Sequence, residues 1–311
     1  MNNKTVRYIF VAVVFVAILG GIVFLATRYD RSGSGTQTKT KVTVGIQVSP
    51  AMALMMVAKD KGFFDQENLD VELKEFTAGK FALQAFLGGS LDFAVAGEVP
   101  VTLATLQGSK FYVLSQVVEK TTNEVRVVAR KEEGVTDPAS YFKKKKRKLA
   151  TSFGGGPEFY TYNFLKKYGI NENEVEIVSQ TPQDMPAALS NGSVDAISIF
   201  DPFAFIAEKQ GGDKVITFSD ADLYSELYVI TVGEEFAQKN PETLNGFLKA
   251  LVKSEQFIKD NPDQAKEIVI QYTKLDRSVV DGIWGNFVFA PALNQRLVDY
   301  QNQEAAWAKS K

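Results

Sequence analysis

The chain has 311 residues, of which 45% are hydrophobic, and its 35 basic and 37 acidic residues give a net charge of −2. This composition suits one or two packed domains and excludes disordered, collagenous and disulfide-rich classes. Because the sequence contains no Cys and no His, thiol nucleophiles, imidazole acid–base chemistry and the usual zinc, copper and haem sites are excluded. We therefore expect neither a metal nor a cofactor.

The amino terminus contains an uncharged apolar run at residues 8–26, YIFVAVVFVAILGGIVFLA, preceded by two basic residues. As a helix, this run is about as long as a hydrocarbon core is thick. A cleaved signal requires small residues just after the run, and Phe24 stands at the first such position, so the pattern favours an uncleaved anchor over a signal peptide. We expect a cytoplasmic tail at 1–7 and a flexible, Gly/Ser/Thr-rich linker at 27–41.

The charge is unevenly distributed along the chain. Residues 1–41 carry six basic residues and one acidic residue, which leaves a net charge of −7 on residues 42–311. A globular part of this charge is a poor nucleic-acid binder, and we expect no such partner. The basic run KKKKRK at 143–148 would suit a phosphate-binding patch or a localisation signal. No aromatic or glycine pattern accompanies it, which favours a solvated loop or edge.

Strand-like and helical segments alternate through most of the remaining chain. The stretch 51–61 favours a helix that ends at Gly62, and 241–259, 262–273 and 278–285 have the pattern of amphipathic helices. Strands are predicted at 42–46, 71–76, 91–96, 111–118, 125–130, 148–152, 175–178, 194–199 and 228–232. This alternation predicts an α/β fold built from βαβ units.

Two segments correspond at a constant offset of 103 residues, GSLDFAVAGE at 89–98 and GSVDAISIFD at 192–201. Each follows a predicted helix, turns at Gly-Ser-X-Asp, forms a buried strand and ends on an acid. A similarity common to any helix–turn–strand unit is the alternative interpretation. However, the acids Glu98 and Asp201 fall at the carboxyl ends of strands, where ligands bind in open α/β sheets. The correspondence therefore predicts two similar lobes with a ligand cleft between them.

Candidate ligand contacts follow the predicted strand ends. The loop 47–52 leads into a helix start, where Ser49 would alternatively act as a cap. The glycine-rich turn after strand 148–152 lets a backbone approach a ligand closely, and it lacks the Gly-Lys-Ser/Thr of a nucleotide P-loop. For the two acids the alternative is helix capping, and for Tyr224 it is a place in the core. The full candidate set is Gln47, Ser49, Met52, Glu98, Ser152, Phe153, Gly154, Gly155, Glu158, Asp201 and Tyr224.

The stretches VTVGIQ, KGFF, GSLDF, SFGGGPEFY and GSVDA, in this order, resemble the solute-binding proteins of ABC importers, specifically the nitrate/sulfonate/taurine and thiamine-pyrimidine-precursor group. The resemblance covers residues 42 to about 300. It implies a two-lobed, type II periplasmic-binding-protein fold with two crossings between lobes. Lobe 1 is then expected at 42–130 plus 225–311, and lobe 2 at 131–224. The implied partners are a permease and its ATPase subunit.

These observations predict an extracytoplasmic, membrane-tethered, monomeric protein that captures a small polar solute by lobe closure. The solute would be sulfonate-, taurine- or nitrate-like, or pyrimidine- or amine-like, and carboxylates at both strand ends favour one that carries an amine or another donor. Two alternatives remain, a membrane-tethered ligand sensor and an enzyme that uses Glu98 and Asp201 as an acid/base pair. The pyrimidine synthases of this fold use His and Cys, which this chain lacks.

Overall fold

The computed structural model describes residues 38–120, 124–220 and 222–311. The predicted cytoplasmic tail, the apolar run and nearly all of the predicted linker lie outside these residues. No helix in the described part of the chain has the length and apolar character needed to cross a membrane.

Within the described residues, the first sheet has six strands in the order β11–β4–β10–β3–β1–β2. The strands are β1 (Thr40–Gln47), β2 (Leu69–Phe76), β3 (Phe93–Gly97), β4 (Tyr112–Lys120), β10 (Leu227–Val232) and β11 (Phe287–Ala292). β1 runs parallel to β2 and β3, whereas β10 runs antiparallel to β3 and β4. The parallel part comes from the βαβ units that the alternating pattern predicts.

The second sheet has five strands in the described residues, in the order β7–β6–β8–β5–β9. They are β5 (Val125–Arg130), β6 (Arg147–Thr151), β7 (Val175–Ser179), β8 (Ala196–Phe200) and β9 (Val215–Phe218). β6 is parallel to β7 and β8, and β5 is antiparallel to β8 and β9. β9 and β11 were not predicted, because the first is a short edge strand and the second contains Pro291, which weakens a strand pattern.

Helices pack on both sheets. The predicted helix over 51–61 begins as a 3₁₀ turn at Pro50–Met52 and continues as α1. The α-helices of the first half are α1 (Ala53–Asp60), α2 (Phe63–Gln66), α3 (Gly79–Leu87), α4 (Glu98–Leu106), α5 (Pro138–Lys143) and α6 (Gly156–Lys167). Those of the second half are α7 (Met185–Asn191), α8 (Phe203–Gly211), α9 (Glu234–Lys239), α10 (Pro241–Asp260), α11 (Pro262–Thr273), α12 (Arg277–Ile283) and α13 (Gln295–Ser310).

The chain passes between the two sheets twice, from β4 to β5 and from β9 to β10. The strand Val125–Arg130, which the predicted boundaries assign to lobe 1, lies in the second sheet. The physical reason is main-chain pairing, since β5 pairs with β8 along Val125–Ala129. The first crossing therefore comes before residue 125 rather than after residue 130.

The two predicted repeats fold alike at their aspartates. Asp92 precedes β3, and its carboxylate accepts hydrogen bonds from the amide (2.7 Å) and the hydroxyl (2.8 Å) of Thr43 on β1. Asp195 precedes β8, and its carboxylate accepts a hydrogen bond from the amide of Lys148 on β6 at 2.8 Å. In each sheet the aspartate thus ties a central strand to its parallel neighbour.

Each sheet has its own apolar core. On the first sheet, Phe93 of β3 stacks on Phe247 of α10 with ring centroids 4.8 Å apart. On the second sheet, the buried rings of Phe142 and Phe164 meet edge to face at 6.3 Å. Burial of a side chain of this size contributes about 1.5–3 kcal/mol, so each lobe is a stable platform for the strand ends.

The basic run at 143–148 is only partly a solvated edge. Arg147 begins β6 and is 1% exposed, and its guanidinium donates to both carboxylate oxygens of Glu132 at 2.6 and 2.7 Å. This pairing lowers the pKa of Glu132 to about 2. The guanidinium also lies 4.1 Å from the centroid of the Tyr141 ring. The prediction of a solvated position is wrong for Arg147, because the Glu132 carboxylate and the face of the Tyr141 ring take the place of water around its guanidinium.

Candidate functional site

Residues from both lobes enclose a small cavity, the crevice, of ≈ 20 Å³, about the room that one water molecule needs. It lies where the parallel strands β1, β3, β6 and β8 end. Its lining residues are Gln47, Ala78, Gly79, Lys80, Gly97, Pro100, Ser152, Gly155, Gly156, Pro157, Phe200, Glu226 and Tyr228. Larger surface hollows of ≈ 390 and ≈ 790 Å³ are lined by α6 and α13 and take no residue from these strand ends. We therefore place the candidate site in the crevice.

Gln47, the last residue of β1, lines the crevice and has an unpaired donor group. Its Oε1 atom accepts hydrogen bonds from the amide of Gly79 at 3.1 Å and the hydroxyl of Tyr228 at 2.9 Å. Because a backbone amide only donates, this contact fixes which side-chain atom is the oxygen. The Nε2 group is buried and has no hydrogen-bond partner. An unsatisfied buried donor is costly, which makes Nε2 a candidate for solute binding.

Lys80 joins the two lobes across the crevice. It lies in the first turn of α3, and its Nζ donates to Ser152 Oγ at 3.0 Å and to the carbonyl of Phe153 at 2.7 Å. Burial lowers the pKa of Lys80, and the charge of Glu158 opposes this effect. The bonds therefore hold a partly desolvated ammonium group between the first lobe and the turn that follows β6.

A buried charge cluster lies where the chain crosses between the sheets. Lys120, which is fully buried, pairs with Glu124 and with Glu226 Oε2, the latter at 2.7 Å. Its Nζ lies 4.4 and 5.0 Å from the ring centroids of Tyr228 and Phe200. Burial disfavours the ammonium ion, but the two carboxylates outweigh this cost and raise the pKa of Lys120 well above its usual value. Burial raises the pKa of Glu124.

The second oxygen of Glu226 lies against two glycines of the crevice. A Cβ atom on Gly97 would come within 2.7 Å of Glu226 Oε1, and so would a Cβ atom on Gly156. A Cβ atom on Gly156 would also come within 2.5 Å of the Tyr224 hydroxyl. The carboxylate reaches the crevice only because neither glycine carries a side chain.

Glu98 lies behind the crevice at the start of α4 and is hydrogen-bonded within the protein. Its carboxylate accepts bonds from the Tyr224 hydroxyl at 2.6 Å and from the Leu227 amide at 2.8 Å. Burial and the charges of Glu304 and Glu226 raise the pKa of Glu98 well above its usual value. Burial likewise raises the pKa of Glu304, on α13, to about 7.

Asp201 is engaged by side chains that lie outside the crevice lining. Its carboxylate pairs with Arg126 at 3.0 Å, accepts a bond from Asn286 at 2.8 Å and accepts another from the amide of Phe205 at 3.1 Å. Burial raises the pKa of Asp201, and this effect is larger than the opposite effect of the three partners. Since protein donors occupy both Glu98 and Asp201, the geometry does not favour an acid/base pair.

The other predicted contacts have varied surroundings. Ser49 caps the 3₁₀ turn by accepting a bond from the Ala51 amide at 3.3 Å, and Met52 is packed in the core of the first sheet. Glu158 accepts a bond from the Gly154 amide at 2.7 Å, and Phe153 is 41% exposed.

Among the candidates, the structure brings Gln47, Ser152 and Gly155 together at the crevice. The lining does not include Ser49, Met52, Glu98, Phe153, Gly154, Glu158, Asp201 or Tyr224. Core packing, capping or ion pairing accounts for most of this second group in the conformation described. Contact with a solute stays a prediction for all of the candidates.

Sequence reasoning missed the two charged residues of the crevice, Lys80 and Glu226. Lys80 directly follows Gly79 at the start of a helix after a strand, the same arrangement that marks the turn after β6. Glu226 directly precedes the fully buried strand β10, an unusual position for an acid that solvates a surface. Neither position by itself is enough to predict a site residue from the sequence.

Two α/β lobes joined by two connections, with a polar crevice at facing strand ends, define the periplasmic-binding-protein class. Solved structures share this fold. The periplasmic aliphatic sulphonate binding protein of Escherichia coli matches with a TM-score of 0.74 and 21% identity, over 87% of this chain and 92% of that chain. The alkanesulfonate-binding protein of Xanthomonas axonopodis pv. citri, bound to MOPS, matches with a TM-score of 0.74 and 18% identity, over 88% and 94% of the two chains.

The sequence profile of the NMT1-like family matches residues 35–271, and the chain belongs to this family. A Bacillus subtilis (strain 168) protein named for binding aliphatic sulfonates is 26% identical over 276 residues, 86% of this chain and 81% of its own length. The taurine-binding periplasmic protein of Escherichia coli (strain K12) is 27% identical over 209 residues, 66% and 62% of the two chains. These matches confirm the predicted resemblance, and both relatives are named as binding proteins.

Proposed function

We propose that this protein is the solute-binding component of an ABC-type importer and that it captures a small polar solute between the two lobes, at the strand ends that line the crevice, for delivery to a permease. The crevice of ≈ 20 Å³ must widen to admit such a solute. The observation that carries the proposal is the pair of hydrogen bonds from Lys80 to Ser152 and to the Phe153 carbonyl. Bonds that cross the crevice form only when the lobes approach each other. They therefore belong to the contacts by which a closed state is stabilised.

In this proposal the lobes hinge where the chain passes from β4 to β5 and from β9 to β10. Residues 38–120 with 227–311 then make one lobe, and residues 125–218 make the other. The support is the pairing of each segment, because no strand of one sheet pairs with the other sheet in the described residues.

The solute meets donors and an acceptor in the crevice. Gln47 Nε2 and Lys80 Nζ are the side-chain donors, and Glu226 Oε1 is the acceptor. Ser152 and Gly155 complete the contacts from the second lobe. A sulfonate-like, taurine-like or amine-like solute suits this set, in keeping with the relatives' names.

The protein acts as a monomer tethered to the outer face of the cytoplasmic membrane, next to a permease and its ATPase subunit. The apolar run at 8–26 serves as an uncleaved anchor. The support for this part is the uncharged run itself with the basic residues before it.

Thermal unfolding of the full-length protein tests the proposal. The solutes to screen are taurine, alkanesulfonates, nitrate, bicarbonate, pyrimidines and amines. A solute at 100 times its Kd raises the free energy of unfolding by about 2.7 kcal/mol. Saturable stabilisation without conversion of the solute supports a binding component, and no stabilisation by any of these compounds contradicts it.

A further inference from the structure

The helix α13 lies against both lobes. Its first half is fixed on the first lobe, where Leu297 is buried in an apolar cluster with residues of β3 and β10, and Arg296 pairs with Glu119 of β4. Its last turn lies on the second lobe, where the rings of Trp307 and Phe159 of α6 meet edge to face with centroids 5.3 Å apart. This helix therefore joins the lobes through side-chain contacts, in addition to the two connections of the chain.

Trp307 makes the main contact of α13 with the second lobe. It is 6% exposed and belongs to the apolar core of that lobe, and its ring also lies 6.4 Å from that of Tyr162. The ammonium group of Lys311 lies 5.3 Å from the Trp307 ring centroid and 3.5 Å from Glu158 Oε1. A helix moves as a single element. The lobes therefore separate only if Trp307 leaves its place on α6 or if α13 leaves the first lobe.

A buried acid, Glu304, lies one turn before Trp307 on the same helix. It is 1% exposed, and its Oε2 atom accepts a hydrogen bond from the Thr102 hydroxyl at 2.7 Å. The carboxyl groups that face it are those of Glu98 on α4 and Glu226 before β10. Burial raises the pKa of Glu304, hydrogen bonding with Thr102 and Glu98 opposes the rise, and the charge of Glu226 adds to it. Once ionised, Glu304 is a buried charge among carboxylates, which favours its transfer to water.

We infer that Trp307 is a positioning residue that holds the lobes together, and that the ionisation state of Glu304 decides whether Trp307 stays on Phe159. With Glu304 neutral, α13 remains docked on both lobes. With Glu304 ionised, the last turns of α13 detach, Trp307 enters water and the lobes separate more readily. The inference concerns the lobes without a solute, so its failure leaves the proposed function to be judged by the solute screen.

The distance between the lobes at two pH values tests the role of Glu304 in the full-length protein. Because the sequence contains no Cys, spin labels can be attached specifically to Glu242→Cys in the first lobe and Ser190→Cys in the second, both at exposed positions. Between about pH 5 and about pH 8, linkage predicts that the ratio of short to long label distances falls about tenfold or more.

Two variants of α13 identify the group that titrates. We expect Glu304→Gln to keep the short distance at both pH values, because its amide stays neutral. Asp299→Asn changes an exposed carboxyl group of the same helix and should keep the wild-type change. A wild-type distance that does not respond to pH, or a response that Glu304→Gln retains, overturns the inference.

The same labels test Trp307 itself. We expect Trp307→Ala to show mostly the long distance even at the lower pH, because the aromatic contact with the second lobe is lost. Phe257→Ala is the control, since Phe257 meets Phe63 within the first lobe at 6.3 Å. If Trp307→Ala does not fold, Phe159→Leu removes the partner ring instead. A distance that neither Trp307→Ala nor Phe159→Leu changes, or that Phe257→Ala changes equally, overturns the inference.

Fluorescence reports the environment of Trp307 directly. The chain has two tryptophans, so Trp284→Phe leaves Trp307 as the sole emitter. We expect its emission to shift to longer wavelength over the pH range in which the label distance increases, and Glu304→Gln to abolish this shift. An emission maximum that stays constant while the lobes separate overturns the inference, because Trp307 would then remain buried in both states.

Discussion

Lys80 Nζ and Ser152 Oγ lie 3.0 Å apart across the crevice, although the two residues are 72 positions apart in the chain and lie in different lobes. The contact joins the first turn of α3 to the turn after β6. It is therefore a direct readout of the distance between the lobes. A change that removes this bond tests closure without disturbing either core.

We expect Lys80→Met to weaken solute binding by about tenfold or more, because the closed state loses two hydrogen bonds that the ammonium group donates. Calorimetry measures the affinity, and small-angle scattering measures the separation of the lobes. Lys74→Met is the control, since Lys74 pairs with Glu72 on an exposed part of β2. If the two variants bind the solute with equal affinity, the hydrogen bonds of Lys80 do not stabilise the closed state.

Gly156→Ala is expected to hinder closure, because the new Cβ atom would lie within 2.5 Å of the Tyr224 hydroxyl and 2.7 Å of Glu226 Oε1. Overpacking of this kind costs roughly 1–3 kcal/mol, and we expect solute affinity to fall correspondingly. Gly233→Ala is the matched control, since nothing lies within 4 Å of its Cβ position. Normal binding by Gly156→Ala would mean that the crevice does not need this close approach.

The free energy of unfolding is expected to fall as the pH rises from about 4.5 to about 7. Burial raises the pKa of Glu304 from 4.5 to about 7, so across this interval the folded protein holds a proton that the unfolded chain has released. The raised pKa of Glu98 acts in the same direction. Because the folded state binds more protons than the unfolded state over this interval, the free energy of unfolding falls by an amount on the order of 1–3 kcal/mol. Urea unfolding at the two ends of the interval measures the loss.

Glu304→Gln should flatten this pH dependence, because the amide stays neutral throughout. The exposed Glu172→Gln variant serves as the control and should keep the wild-type slope. Carboxylates with a lowered pKa, such as Glu132 at about 2, titrate below this interval and do not cancel the effect. A wild-type protein whose stability is constant or rises over the interval would show that Glu304 is ionised in the fold.

Asp92→Ala and Asp195→Ala are expected to destabilise the protein by similar amounts, about 1–3 kcal/mol each. Each carboxylate accepts the amide hydrogen bond of a parallel neighbour strand, from Thr43 and from Lys148 respectively. Urea unfolding of the two variants gives the comparison. A loss confined to one of them would mean that the repeated Gly-Ser-X-Asp segments share sequence but not a structural role.

Much of the fold was predictable because its signals are local. The repeated segments 89–98 and 192–201 fold as predicted, and each ends a strand near the crevice. The placement of Val125–Arg130 was not predictable in this way, because its strand pattern is equally compatible with either sheet. Only the pairing partner decides, and that partner, β8, lies some seventy residues later in the chain.

The candidate site was less predictable, because it depends on how the lobes face each other. Gln47 and Ser152 follow strands, and their position alone suggested the crevice. Asp201 has the same position, but Arg126 on the neighbouring strand engages its carboxylate. Lys80 resembles an ordinary charged residue of a helix surface until Ser152 is placed opposite it.

The most direct test of the account is calorimetric titration of the full-length protein and of Lys80→Met with small polar solutes. We predict saturable binding of one solute per chain, no conversion of the solute, and a clear loss of affinity in the variant. Absence of binding by every solute tested, or binding that Lys80→Met leaves unchanged, would contradict a crevice that closes on its solute.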